Sequence, residues 1–83
     1  MANYKLSSAA DKDFEQLFEY VDGLIIKFQS IAENPLHYQA VDYIRSGYRR
    51  SVYGKHTVYY MISNDCVDIM RILRSENLAT AFE

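Results

Sequence analysis

The chain has 83 residues, 49% of them hydrophobic, with nine basic and eleven acidic side chains for a net charge of −2. A chain of that length forms one domain, residues 1–83, and buries only about 60% of its unfolded surface, so a stability of order 5 kcal/mol leaves little to offset an unpaired buried charge. A single cysteine, Cys66, excludes an internal disulfide framework and a cysteine-based metal centre.

Taken in chain order, Asn3 to Leu6 reads as a short strand with Tyr4 and Leu6 on one face. Ser7 or Ser8 offers a hydroxyl to cap a following helix, and Asp11, Asp13 and Glu15 fall in its first turns, where the macrodipole favours negative charge. Apolar residues recur at Phe14, Leu17, Phe18 and Val21, then at Leu24, Ile25, Phe28, Ile31 and Ala32, until Asn34-Pro35 ends the pattern. Asp22-Gly23 interrupts it and leaves two alternatives. If the pair turns the chain, two helices of about ten residues lie on one face of a sheet. If Gly23 is tolerated within a helix at a cost near 1 kcal/mol, one rod of about 35 Å results, and its far half needs a helix-exchanged homodimer to cover Ile25 and Phe28.

Leu36 to Arg45 is a connection with weak strand character over Val41 to Ile44, and His37 is a surface loop residue within it. The densest signal follows. Tyr48 to Tyr53, His56 to Ile62 and Cys66 to Leu73 are rich in Val, Ile, Thr and Tyr. They are separated by Gly54-Lys55 and Asn64-Asp65, pairs that tolerate the positive φ of a hairpin turn. An antiparallel meander is expected, and beyond it Ser75 to Glu83 reads as a short helix or tail with Leu78, Ala79 and Phe82 at helical spacing.

Charge is unevenly placed, −4 over residues 1–42 and +2 over residues 43–83. So small a basic excess argues against direct bulk nucleic-acid binding, in which affinity grows with each phosphate neutralised. No run reaches the roughly 20 apolar residues of a membrane span and no signal-peptide pattern opens the chain, so a cytoplasmic protein without membrane contact, metal or cofactor is expected.

The opening YKLSSAADKDFEQLFEY, the helix end FQSIAENP, the strand GYRRSVYG, the turn into HTVYY and the last strand VDIMRIL, in that order, resemble the ParE branch of the RelE/ParE toxin superfamily. The resemblance implies an α+β fold of the RelE/ParE kind: an N-terminal strand and two helices, or one long helix, on an antiparallel sheet. It also implies the toxin of a type II toxin-antitoxin system, associated with plasmid stabilisation and neutralised by a ParD-like antitoxin. ParE toxins poison DNA gyrase, meeting nucleic acid only through that target, whereas their RelE relatives cleave messenger RNA on the ribosome. The chain departs from the pattern after Tyr20, where about a dozen residues of the helical pair are missing, and at Arg74, where a His is expected.

A metal-independent nuclease needs a base, cations for the phosphorane and a proton donor, and Arg49, Arg50, His56, Tyr59 and Arg74 are the candidates. Neighbouring residues on a strand face opposite ways, so at most one of Arg49 and Arg50 serves a given site, and one of Tyr59 and Tyr60 belongs to the core. Cys66 is read as a small core residue, and Arg71 as a snorkelling side chain or the partner of Asp13 or Glu15. A docking face is favoured over a catalytic pocket, because Tyr53 and Tyr59 fall with Thr57, Met61, Met70 and Ile72 on positions that a two-layer domain leaves uncovered. The target-binding residues are then Arg49, Arg50, Tyr53, Tyr59 and Arg74, with Phe18, Val21, Ile25 and Phe28 meeting the antitoxin.

Overall fold

The computed structural model describes residues 3–64 and 66–74. In chain order these form β1 (Tyr4–Leu6), α1 (Ser8–Glu15), a 3-10 turn (Phe18–Tyr20), α2 (Val21–Glu33), β2 (Gln39–Ala40), β3 (Arg49–Tyr53), β4 (His56–Ser63) and β5 (Cys66–Arg74). The strands make one sheet in the order β1-β5-β4-β3-β2, antiparallel throughout except that β1 runs parallel to β5. The expected α+β arrangement of a strand, two helices and a meander is the one observed. Leu78, Ala79 and Phe82, and Asp65 of the second turn, lie outside the described residues.

Both hairpins turn where the sequence signals them. Gly54 (φ 59°) and Asn64 (φ 52°) take the left-handed conformation that opens each turn. Ser7, not Ser8, caps α1: its hydroxyl accepts the Ala10 N–H at 3.0 Å and donates to the Met70 carbonyl at 2.8 Å. Its own N–H donates to the Ile69 carbonyl at 2.9 Å, so α1 starts tied to β5. One turn later Asp13 completes the attachment. Its carboxylate accepts from Arg71 Nε (2.8 Å) and Nη2 (3.2 Å) and from the Ile72 backbone N–H (3.0 Å). Beyond Ile69, on the side away from β4, no strand among the described residues lies beside β5, and α1 supplies partners there.

The helical region breaks earlier than Asp22-Gly23. Short-range bonds from Gln16 N–H to the Asp13 carbonyl and from Leu17 N–H to the Phe14 carbonyl end α1, and α2 then runs through Gly23. Neither the turn at Gly23 nor the single rod is formed. The glycine is needed for a different reason, since a Cβ there would collide with the hydroxyl and ring of Tyr53. Phe28 is 1% exposed and packs on the rings of Tyr4 and Phe14 in its own chain, so nothing here calls for an exchanged helix to cover it.

Two cores sandwich the sheet. Leu24, Phe28, Ile31 and Ala32 of α2 and Ala10 of α1 pack on Val58, Tyr60, Val67, Ile69 and Ile72. On the reverse face Val41 and Tyr48 pack on Tyr59, flanked by Ile44, Met61, Met70 and Leu73. The second core exists because residues 41–48 form a closed loop, not the expected strand over Val41 to Ile44. Val41 N–H donates to the Tyr48 carbonyl at 2.8 Å, and the Gly47 N–H to Asp42 Oδ1 at 2.8 Å. The edge strand is displaced to Gln39–Ala40.

The connection leading to that strand is strapped to both layers. The Tyr38 hydroxyl lies 2.9 Å from Ser30 Oγ, Arg49 Nη1 donates to the Tyr38 carbonyl at 2.7 Å, and the Tyr60 hydroxyl donates to the Pro35 carbonyl at 2.6 Å. Burial pushes the Tyr60 hydroxyl up to about 12, against the opposing charge of Arg49 and with the help of Tyr38.

Three predictions follow from these anchors. Asp13→Ala strands Arg71 and the Ile72 N–H and is expected to cost about 2 kcal/mol in urea unfolding, whereas Asp11→Ala, on the exposed side of the same helix, stays within about 0.5 kcal/mol. Gly23→Ala lowers the unfolding midpoint in the native chain but raises it in a Tyr53→Ala background, where only its helix propensity, about 1 kcal/mol, is left to act. Because the Tyr60 hydroxyl is held neutral above the ordinary tyrosine value near 10, its contribution is complete below pH 10 and is lost as pH rises toward 12. Tyr60→Phe is therefore less stable at neutral pH by about 1 kcal/mol but shows a shallower alkaline decline, measurable by chemical denaturation across that window.

Candidate functional site

β3 and β4 carry most of the residues singled out for function, and their register decides which face each one serves. Arg49 pairs with Tyr60, Arg50 with Tyr59, Ser51 with Val58, Val52 with Thr57 and Tyr53 with His56. Because Tyr60 and Val58 belong to the helix-side core, Arg49, Ser51, Tyr53 and His56 share that side. Arg50, Val52, Thr57 and Tyr59 share the reverse face. The two arginines do split between faces, as alternation demands.

Alternation then fails in β5. Tyr59 pairs with Arg71 but Tyr60 pairs with Ile69, so Met70 is an extra residue and the strand changes face there. Ile72 consequently lies with Val58 on the helix side, not among the uncovered positions, and Arg71 no longer shares its side with Val67 and Ile69. Arg71 instead meets Asp13 at the open edge, one of the two carboxylates proposed for it, and that hydrogen bond raises its pKa.

The expected docking face is also more covered than the pattern suggests. Tyr59 is 1% exposed, shielded where Val41 and Tyr48 of the 41–48 loop pack on it, and Thr57 lies buried on the same face. Burial raises the pKa of the Tyr59 hydroxyl, while Arg50 and Thr57 oppose the shift through charge and hydrogen bonds. Tyr53 is partly buried on the helix side, its ring edge-on to Tyr20 at 6.4 Å. Neither tyrosine is an exposed anchor. What the reverse face does expose is Tyr43 (73%) and Val52 (57%), neither of them singled out by the sequence. A loop tyrosine and a strand valine carry no signal until the pairing places them.

The five nuclease candidates do not converge among the described residues. Arg49 lies beside Tyr38 and Tyr60, four residues along β4 from His56, a separation of about 13 Å. Arg50, on the other face, donates twice to Gln39 Oε1, at 3.0 and 3.3 Å. His56 is buried against the Tyr20 ring, 5.4 Å between centroids, and is the register partner of Arg74. These two do share a hollow: an open cleft of about 490 Å³ lined by Lys12, Asp13, Gln16, Leu17, Tyr20, His56, Ile72, Leu73 and Arg74. Its carboxylate, Asp13, is already engaged by Arg71 and Ile72.

Of the antitoxin-contact residues, Phe28 is a core residue and offers no surface to a second chain. Val21 and Ile25 are half-buried on α2, and Phe18 opens the 3-10 turn. Cys66, read as a core residue, is half-buried at the rim of an apolar groove of about 240 Å³ with Ile62, Ala32 and Pro35. Among the described residues no three His, Cys, Asp or Glu side chains gather to hold a metal, and no helix is long and apolar enough to cross a membrane.

Comparison with known proteins bears on both the fold and the family. Residues 4–79 match the model of the ParE toxin of type II toxin-antitoxin systems, parDE. Toxin ParE1 of Caulobacter vibrioides is 32% identical over 94 residues, covering 98% of this chain and 97% of the relative. That alignment is longer than the 83-residue chain, so the relative carries residues absent here. Toxin ParE1 of Mycobacterium tuberculosis is 29% identical over 86 residues, covering 87% and 88% of the two chains. Among solved structures, a chain of the RelBE2 toxin-antitoxin complex of Mycobacterium tuberculosis has the same fold at 17% identity, with a TM-score of 0.68 over 88% of this chain and 96% of that one. A Helicobacter pylori protein solved in solution aligns with a TM-score of 0.52 at 14% identity, over 92% and 97% of the two chains. The short strand, two sheet-bound helices and meander are thus those of a RelE/ParE-like toxin, and the chain belongs to the ParE toxin family of type II toxin-antitoxin systems.

Proposed function

We propose that this toxin acts in the cytoplasm by binding and poisoning DNA gyrase, and that a ParD-like antitoxin neutralises it. The observation that carries the reading is the dispersal of the candidate catalytic groups. Arg49 and Arg50 serve opposite faces, Tyr59 is sealed under a loop, and His56 and Arg74 sit at the far end of the sheet. Phosphoryl chemistry needs cations and a base within hydrogen-bond reach of one reacting group. A binding toxin needs only a surface, and Arg50, Val52 and Tyr43 form one on the reverse face. Arg49, Tyr53 and Tyr59 support that surface from beneath or behind it.

A ribosome-dependent nuclease of the RelE kind is the second reading, favoured by the cleft in which His56, Arg74, Lys12 and Tyr20 face one hollow. The two readings separate cleanly in experiment. Purified toxin at stoichiometric excess is expected to inhibit gyrase supercoiling and accumulate cleaved complexes, with Arg50→Glu weakening the effect at least tenfold. Unimpaired supercoiling with a folded toxin, together with codon-phased cuts in cellular messages after induction, would establish the nuclease instead.

A further inference from the structure

The cleft between α1 and the end of β5 differs from the rest of the helix-side surface in having a buried polar group at its wall. His56 is only 7% exposed and lines the cleft, its ring centroid 5.4 Å from that of Tyr20. Among the described residues its imidazole makes no hydrogen bond. Ring nitrogens withdrawn from bulk water without a partner cost free energy, and such a group is satisfied by what enters the hollow it borders.

The other polar side chains around the cleft decide what that occupant is. Lys12, Gln16, Tyr20 and Arg74 can each donate a hydrogen bond, and Lys12 and Arg74 bring positive charge. Among the described residues the lining holds one carboxylate, Asp13, which already accepts from Arg71 and from the Ile72 N–H. A wall rich in donors, whose only acid is engaged, matches an oxyanion, and phosphate is the oxyanion that arginine and lysine bind best. The hollow measures about 490 Å³, within the roughly 300–1,000 Å³ of small-molecule sites and far more than a bare phosphate fills. Its apolar wall is Leu17, Ile72 and Leu73, next to a Tyr20 ring that stays 42% exposed, and together they offer a seat to a flat apolar body.

We infer that this cleft binds a phosphate monoester carrying an aromatic group, the phosphate held by Lys12, Arg74 and a His56 N–H and the aromatic ring laid against Tyr20 and Leu17. Binding alone is assigned to it. Neither reading of the toxin's target is needed: the gyrase reading uses the opposite face of the sheet, and the nuclease reading asks this hollow to cut a polynucleotide, not to hold a small ester.

The test uses the full chain and phenyl phosphate at fixed pH, followed by the imidazole C2–H resonances of the two histidines and the ring resonances of Tyr20. His37, exposed in the connection before β2, is the internal control. His56 and Tyr20 are expected to shift saturably at millimolar ester while His37 stays in place, and the affinity falls as salt rises. Lys12→Glu, an exposed substitution that leaves the core alone, is expected to weaken binding about fivefold, as is His56→Phe, which keeps a ring against Tyr20 but has no N–H to donate. Inorganic phosphate and phenol, each offering half of the ligand, are expected to bind about fivefold more weakly than the ester. No shift at millimolar ester, equal shifts at both histidines, unchanged affinity in Lys12→Glu, or inorganic phosphate binding as tightly as the ester would each overturn the inference. A toxin that inhibits gyrase but leaves His56 unmoved removes this proposal alone; one that binds the ester and leaves gyrase untouched removes only the gyrase reading.

Discussion

One carboxylate decides how the two layers meet. Asp13 projects from α1 onto the exposed margin of β5, where it accepts a strand N–H from Ile72 and a forked pair from Arg71. Together with the Ser7 hydroxyl, which joins the α1 N-terminus to the Met70 carbonyl, it fixes the height and direction of the helix against the strand. Once α1 is held there, α2 must find a separate seat. It does so where Gly23 lets Tyr53 approach its backbone. The helical break at Gln16–Leu17 follows from these two anchors, which a single straight rod has no means of satisfying together.

The central strand reflects the same geometry from inside. From His56 to Tyr60 every residue of β4 is buried, alternate side chains entering cores on opposite faces. A strand enclosed on both sides has no exposed polar chemistry to offer, and its tyrosine hydroxyls are held in their neutral form. Groups able to meet another molecule are pushed to the periphery: the α1 cleft, the reverse-face loop and the β3 margin.

Much of this was legible in the residues. Gly54-Lys55 and Asn64-Asp65 marked the hairpins because left-handed backbone is chemically selective, and Asp13 was a stated partner for Arg71 because a charge among apolar residues needs one. Three features were not legible, each for a physical reason. Gly23 left a turn and a tolerated helix position both open, because a glycine that makes room for a neighbouring ring looks the same in sequence as one that bends the chain. Ile72 and Arg71 were placed on the wrong sides because a bulge at Met70 resets the period-two alternation and leaves no mark in composition. Tyr59 seemed available because Val41 and Tyr48, which cover it, come from a stretch whose weak strand propensity concealed a closed loop. In the candidate site, residue types were readable; their convergence was a property of register.

The parallel pairing of β1 with β5 carries a consequence for biosynthesis. Tyr4 and Leu6 sit opposite Val67 and Ile69, more than sixty positions downstream. During translation the amino-terminal strand and both helices therefore emerge with no sheet to rest on. The apolar stripe of α2 stays unsatisfied until β4 and β5 have followed it out of the ribosome. Packing of the amino-terminal layer thus waits on contacts of high sequence separation, the kind that slow the search for the native arrangement.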